Sequence, residues 1–282
     1  MYEEINLDLQ AFAKRVYDSI LYQSTFYNFL NPNYIGTLRQ TGAPVIEIAK
    51  TDTLSVNVRK TKEIQNALDP ALTTYSRTMV DLTELPMDYA IRVPVVITGS
   101  DISNAIQDAA DLEDSAIARQ IDIYGYGKLA ADTNIVEVEW APQTQQDYIN
   151  LLNSLRATLF NKDITGDYRL GLGAVEYGKY VSALTSVLKF ETLAGREGVD
   201  MGIIARAYGI DAFEINDNVL GDEVGYFFNP IAVVGDTFFS AFVSTSTDIR
   251  YPGYFCLSGN QMFGCEVVRS EAIIRLVESI SG

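Results

Sequence analysis

The 282-residue sequence contains no histidine. That removes the commonest general base and the commonest metal-binding imidazole together. It holds two cysteines, Cys256 and Cys265. With no imidazole or further thiol to complete a ligand set, they read as two small buried hydrophobes rather than a disulfide or half a metal site. Such usage suits a reducing compartment. Cations are also scarce: 21 Lys and Arg stand against 37 Asp and Glu, for a formal net charge of −16. A surface that grips nucleic-acid phosphates needs clustered Lys and Arg, so tight binding of that kind is excluded. An enclosed acidic surface would repel a polyanion rather than adsorb it. No apolar run approaches the ~20 residues needed to cross a bilayer. The opening MYEEINLDLQ is acidic where a secretory n-region is basic, so no signal peptide is read there. The phosphate-loop pattern G-x-x-x-x-G-K-[ST] and the G-x-S-x-G nucleophile elbow are both missing.

Hydrophobic residues make up 48% of the chain and charged residues 21%, a balance that supports a packed core. The longest periodic stretch, Ser100 to Asp132, is proline-free and predicts one helix on the order of 45 Å long at about 1.5 Å per residue. Its apolar positions are assigned to Ile102, Ile106, Ala109, Leu112, Ala116 and Ile123. Asp108, Asp111, Asp114, Arg119 and Asp122 are placed on the opposite, solvated face. Ser100 caps the start. A helix this long, between β-rich segments, reads as a strut.

Before it, residues 1–43 begin with helical spacing (Leu9, Phe12, Ala13, Val16, Ile20, Leu21) and continue into a stretch rich in Tyr and Asn, including Tyr22, Tyr27, Asn28, Asn31 and Tyr34. Its aliphatic density is too low for a core, so it is expected to lie against the body or a neighbour. From Pro44 the period changes to two. VIEIA and TLSVNVRK read as strands with Thr-Asp between them, and MDYAIRVPVVITG (Met87 to Gly99) reads as the returning strand of a long ribbon, its tip around Asp69-Pro70. Two strands alone are marginal in water, so the ribbon must lean on another surface.

After the long helix, NIVEVEW reads as a strand and Gln145 to Asn161 as an amphipathic helix with Ile149, Leu152, Leu155 and Leu159 on one stripe. The strand YRLGLGAV, the helix-like VEYGKYVSALTSVL and the alternating Ile210–Ile215 continue an α/β lobe. From Gly225 onward the chain is almost all β. Gly171 and Gly173 follow a strand, but Glu176 stands where a dinucleotide fingerprint needs its third glycine, so they read as packing or turn glycines. Glu137 with Glu139, and the helix aspartates, read as solvated faces rather than acid–base pairs. Asp217, Asp222 and Glu223 around Gly221 lack the spacing of a calcium loop. No catalytic, cofactor-binding or metal-binding residue is assigned. The 17 Tyr and 13 Phe, together with an arm and a ribbon unable to bury themselves, favour extensive protein–protein contact.

This order of parts resembles the major capsid proteins of tailed bacteriophages, the Hong Kong 97-type fold. The residues most similar to that family lie late in the chain: GIIARAYGIDAFEINDNV (Gly202 to Val219), FFNPIAVVGD, and the closing GNQMFGCEVVRSEAIIRLVES. The resemblance implies an α+β Hong Kong 97-like capsid fold. Residues 1–43 would be the N-terminal arm, 44–97 the extended β-hairpin called the E-loop, and 98–141 the peripheral domain with its spine helix. Residues 142–235 would be an α/β axial domain and 236–282 the returning peripheral strands. It also implies a structural protein, not an enzyme, that self-assembles as hexamers and pentamers into an icosahedral shell around double-stranded DNA, without cofactors or a membrane. Some relatives carry a long cleaved scaffolding domain, for which residues 1–43 leave no room, so a separate scaffolding protein or direct assembly is implied, alongside a portal and decoration proteins. The shell would be assembled in the host cytoplasm and located in the virion. No lysine of the ribbon (Lys50, Lys60, Lys62) is matched to the crosslinking some members use. In the family the spine runs along the inner side of the shell, which would turn Asp108, Asp111, Asp114 and Asp122 toward the genome. Encapsulin-type compartments, which enclose an enzyme, share the architecture and stand as the alternative.

Overall fold

The computed structural model of the protein describes residues 23–34, 45–53, 74–81, 84–94, 100–184, 203–244 and 254–278. After a 3-10 turn at Thr25–Phe29 come strands β1 (Val45–Thr53), β2 (Thr74–Asp81) and β3 (Leu85–Pro94), then helix α1 (Ser100–Ala131) and β4 (Val136–Glu139). Helix α2 (Gln145–Phe160), β5 (Tyr168–Gly173), α3 (Ala174–Leu184), β6 (Ile203–Ala207), β7 (Ile210–Ile215), the single-turn α4 (Asp217–Leu220) and β8 (Glu223–Phe228) follow. The chain closes with β9 (Val233–Ser244), β10 (Tyr254–Val267) and β11 (Ile273–Val277). The strands form a two-stranded pair β1–β2, an antiparallel sheet β3–β10–β9, and a six-stranded mixed sheet in the order β4-β11-β8-β5-β7-β6.

Helix α1 has 32 residues and spans about 48 Å. Its bounds match the expectation; its phase over the second half does not. Ile117, Ala118, Ile121, Tyr126 and Leu129 are buried, whereas Ala116 is exposed and Ile123 is 44% exposed. Asp122, expected in water, is 7% exposed. The error has a simple cause. Ile123 outranked Asp122 on hydrophobicity, but the buried stripe at 118, 121, 122, 125, 126 and 129 accepts the aspartate because other backbone groups hydrogen-bond to it. The side chains of Ile102 to Asp114 lie outside the described residues.

The ribbon also differs from expectation. β1 runs unbroken through Thr51 and Asp52, where a turn was expected; the register slips by one between Thr51 and Thr53, which makes Asp52 the extra residue of a bulge. Its antiparallel partner is β2, from Val45↔Asp81 to Thr53↔Thr74, drawn from a segment read as a polar connection. The strand at Met87, expected to return along the ribbon, instead pairs with β10 from Leu85↔Phe263 to Pro94↔Tyr254. TYSRTMVD is polar, but Thr, Tyr and Val suit a pleated, half-exposed strand, and that propensity prevails over polarity. The tip at Asp69-Pro70 and the N-terminal helical pattern lie outside the described residues.

Elsewhere local chemistry and structure agree. Thr144 and Asp147 make a reciprocal capping box at the start of α2: the Asp147 N–H donates to Thr144 Oγ1 at 3.3 Å and the Thr144 N–H to Asp147 Oδ2 at 2.8 Å. One face of α2 buries Tyr148, Leu152, Leu155 and Leu159. β5 sits between β7 and β8, and a Cβ at Gly171 or Gly173 would overlap Ile215 and Phe213 or Asp217, so these glycines serve close packing. Both cysteines fall in β10, roughly 30 Å apart at ~3.4 Å per residue, too far to bond to each other. Cys265 is free and buried.

The aromatic surplus has a different use from the one expected. Phe29 stacks on Phe228 with ring centroids 3.7 Å apart. It meets Tyr126, Phe213 and Tyr226 edge-on at 5.5, 6.1 and 5.7 Å. These rings knit the long helix and the six-stranded sheet into one core. Among the described residues, most Tyr and Phe side chains are internal.

Candidate functional site

Within the described segment 23–34, residues 24–31 are threaded into the body between α1 and the six-stranded sheet, with Phe26, Phe29 and Leu30 at 0–1% exposure. Asp122 holds it there. Ser24 Oγ donates to Asp122 Oδ1 at 2.6 Å and the Phe26 N–H to the same oxygen at 2.9 Å. The Thr25 hydroxyl and N–H reach Oδ2 at 3.1 and 3.3 Å. A carboxylate from the long helix thus satisfies the free N–H groups that open the Thr25–Phe29 turn, as an N-cap would, but from a residue far along the chain. Burial pushes the Asp122 carboxyl above the ordinary carboxylate range, and the hydrogen bonds from Ser24, Phe26 and Thr25 oppose that shift. Next to it the Phe26 ring lies over Gly125, where a Cβ would come closer than 3.0 Å to three ring atoms. The far end of the segment is tied down by Arg169, whose Nη1 donates to the Asn28 carbonyl at 2.7 Å, and by the Asn31 N–H, which donates to the Val233 carbonyl at 2.8 Å.

A second anchor closes the C-terminus of α1. Arg275, on inner strand β11, donates through Nη2 to the carbonyls of Leu129, Ala130 and Asp132 at 2.7, 2.9 and 3.1 Å. Its other nitrogens pair with Glu137 at 2.9 Å and Glu223 at 3.2 Å. A guanidinium at this end complements the negative pole of the helix and satisfies carbonyls that have no partner within it. Glu137, read from sequence as part of a solvated face, is exposed and also carries this ion pair.

A third contact lies where the ribbon leaves the body. Lys128 of α1 pairs with Glu84 at 2.8 Å and Glu266 at 3.4 Å, and the Tyr124 hydroxyl donates to Glu84. Beyond this elbow, β1–β2 touches the body through Val80, which is buried against Val234 and Val268, while Met79 is 70% exposed.

Among the described residues, no three His, Cys, Asp or Glu side chains gather as a metal site, and no helix is long and apolar enough to cross a membrane. Asp217, Asp222 and Glu223 line one side of an open groove rather than converging on a point. What the geometry does is hold one long helix at its middle, its end and its elbow, and project a two-stranded ribbon from the result.

Over 90% of its length the chain is similar to a structure from Mycobacterium phage Che8 (91% of that chain, TM-score 0.59, 19% identity). Over 85% it is similar to the capsid of cyanophage P-SCSP1u (84% of that chain, TM-score 0.58, 15% identity). The fold is that of a phage capsid protein. The virus-like particle from Pyrococcus furiosus shares it over 83% of this chain and 86% of its own (TM-score 0.50, 10% identity). No family model matches the sequence, and no curated protein does. The α+β capsid fold implied by the order of parts is therefore present, with its long helix at Ser100–Ala131. Sequence reasoning missed all three anchors of the capsid fold. A glycine inside a long helix (Gly125) and a lone arginine in the apolar run IIRLV (Arg275) were the available signals of close approach and of a buried ion pair.

Proposed function

We propose that this chain is the major capsid protein of a tailed phage, self-assembling through hexamers and pentamers into an icosahedral head shell that encloses double-stranded DNA. The observation that carries the reading is the near whole-length likeness to a phage capsid. Physical support comes from the ribbon: two strands with Met79 and Val45 exposed gain little stability alone, and neighbouring copies are the natural surface to cover them. The role is structural rather than catalytic. The net charge of −16 suits a container that does not bind its polyanionic content tightly. Asp122 is no part of any lining, because it is buried against the arm. Residues 1–43 act as arm, 44–97 as E-loop, 98–141 with 236–282 as peripheral domain and 142–235 as axial domain. A portal, a separate scaffolding protein and decoration proteins are the further partners, with assembly in the host cytoplasm and the finished protein in the virion.

A cargo-enclosing compartment of the encapsulin type is the second reading, since a shell of this fold need not enclose DNA; beside it stands the likeness to a virus-like particle from Pyrococcus furiosus. Negative-stain microscopy of the expressed protein tests both: uniform shells are expected, and small monodisperse particles would sink both. Shells that co-purify with a protein cargo and fail to package DNA in an infected host favour the compartment. Removal of residues 1–22 is expected to abolish shells and leave soluble subunits, and intact shells from that truncation would count against the arm's role.

A further inference from the structure

We propose that the α/β lobe carries both halves of a head-to-tail contact between copies of this chain: a knob at the β6–β7 turn, built from Tyr208, Phe160 and Arg156, and a groove at the opposite end of the same sheet that receives it. The inference rests on the shell reading and names the surfaces by which copies meet.

The knob is unusual in its backbone and its composition. Tyr208 and Gly209 join β6 to β7 with φ of 54° and 77°. Such a two-residue turn favours Asn-Gly, and a bulky residue in the left-handed region is strained. Strain held at an exposed position points to use of the side chain. Tyr208 is 41% exposed, and Phe160, at the end of α2, is 59% exposed. Arg156 lies one helical turn before Phe160; its Nη1 donates to the Tyr208 carbonyl at 3.4 Å, and its guanidinium lies 6.0 Å from the centre of the Tyr168 ring. Tyr, Phe and Arg are residues enriched at the centres of protein interfaces.

The groove consists of two adjoining clefts of about 630 and 530 Å³ that share Glu176, Lys179, Val224 and Glu278. Its exposed apolar residue is Val175, at 63%, while Trp140 and Tyr148 line it from largely buried positions. Its charges are mostly negative. Glu176 is matched by Lys179 and Glu223 by Arg275, whereas Asp217, Asp222 and Glu278 find no further cation in the lining.

The two patches are complementary in charge, an exposed aromatic turn beside an arginine against a mostly polar cleft edged with carboxylates and Val175. For copies of a chain this acidic to associate, the cations it has must be set against carboxylates at the contact. Placement fixes the symmetry. β5 and β7 are parallel, with Tyr168↔Ile210 at one end and Gly173↔Ile215 at the other. The turn adjoins the first pair and the groove the second, about 17 Å away at ~3.4 Å per residue. Complementary patches that face outward from opposite ends of one body pair head to tail, a heterologous contact that closes into a ring when the rotation closes.

The test compares shell yield of the wild type, Tyr208→Gly and Arg156→Glu by electron microscopy and mass photometry. Glycine relieves the strain at 208, so that variant folds at least as well while losing the tip. Both variants are expected to lower shell yield by at least about tenfold. Adding Glu278→Lys to Arg156→Glu is expected to restore it. A mixture of Tyr208→Gly with a groove-blocked Val175→Arg variant is expected to give pairs and no rings, because only one good knob and one good groove remain. Wild-type shells with undiminished yield from both single variants overturn this contact and leave the shell reading standing. A wild type that forms no shells overturns both.

Discussion

Gly125 and Gly127 lie two residues apart on the same helix, and the same substitution at each should act with opposite sign. Gly→Ala inside a helix is worth about 1 kcal/mol in its favour, because alanine loses less backbone freedom on folding. At Gly127, which is exposed and has nothing within 4 Å of an added Cβ, that gain is all there is. At Gly125 the new methyl would stand closer than 3.0 Å to three atoms of the Phe26 ring, a ring at 0% exposure with no room to retreat. Forcing a methyl into a filled core costs about 1–3 kcal/mol. Because the helical gain is common to both variants, the difference between Gly125→Ala and Gly127→Ala isolates that steric cost. With an m-value of about 3 kcal/mol/M, it separates the urea midpoints of the unassembled subunits by roughly 0.3–1 M. The single tryptophan, Trp140, is buried, so its fluorescence reports global unfolding. Trimming the ring as well, in a Gly125→Ala/Phe26→Leu double variant, should recover part of the loss, giving a coupling of at least about 0.5 kcal/mol. Equal midpoints for the two alanine variants would refute the account of arm docking given above.

Arg275→Met should cost about 3 kcal/mol in urea unfolding, since it strands the half-buried Glu223 and three helix-end carbonyls together; a loss below 1 kcal/mol would show that water replaces the guanidinium. The pH dependence of Asp122 has a definite sign. Its folded-state pKa lies above its unfolded one, so its contribution is fully present below about pH 4 and is lost as pH rises through the folded value. The stability of the wild type relative to Asp122→Asn should therefore decline from about pH 4 toward neutrality, and an opposite slope in paired urea titrations contradicts this. Burial pushes the Cys265 thiol up and leaves it 1% exposed, so in a Cys256→Ser background a thiol reagent should label nothing until denaturant is added.

Elements governed by local chemistry were legible from sequence. α2 announced itself through Thr144, Asp147 and a clean stripe of leucines, and the bounds of α1 through Ser100 and a long, proline-free periodic stretch. What escaped was decided between distant parts of the chain. Asp122 looks like a surface residue until Ser24, Thr25 and Phe26 arrive to hydrogen-bond with it. Arg275 looks anomalous in IIRLV until the end of a helix is placed above it. β2 and β3 exchanged roles because pairing partners depend on register with β10, which no local pattern encodes. The tyrosines and phenylalanines were a true signal read at the wrong scale: they mark a surface being covered, but here the cover is largely the chain's own N-terminal segment.

That threaded segment also imposes an order in time. Its partners lie at Asp122, Arg169, Val233 and Phe263, with sequence separations of 98 residues to the first and 141 to the second. A ribosome releases residues 24–31 first, yet nothing exists for them to bind until most of the chain has followed. A segment made before all its partners is thus among the last to settle, and non-local closure of this kind is slow. During that delay Phe26 and Phe29 are open to solvent, which makes a newly made chain stickier than a finished one and gives folding helpers a specific stretch to shield.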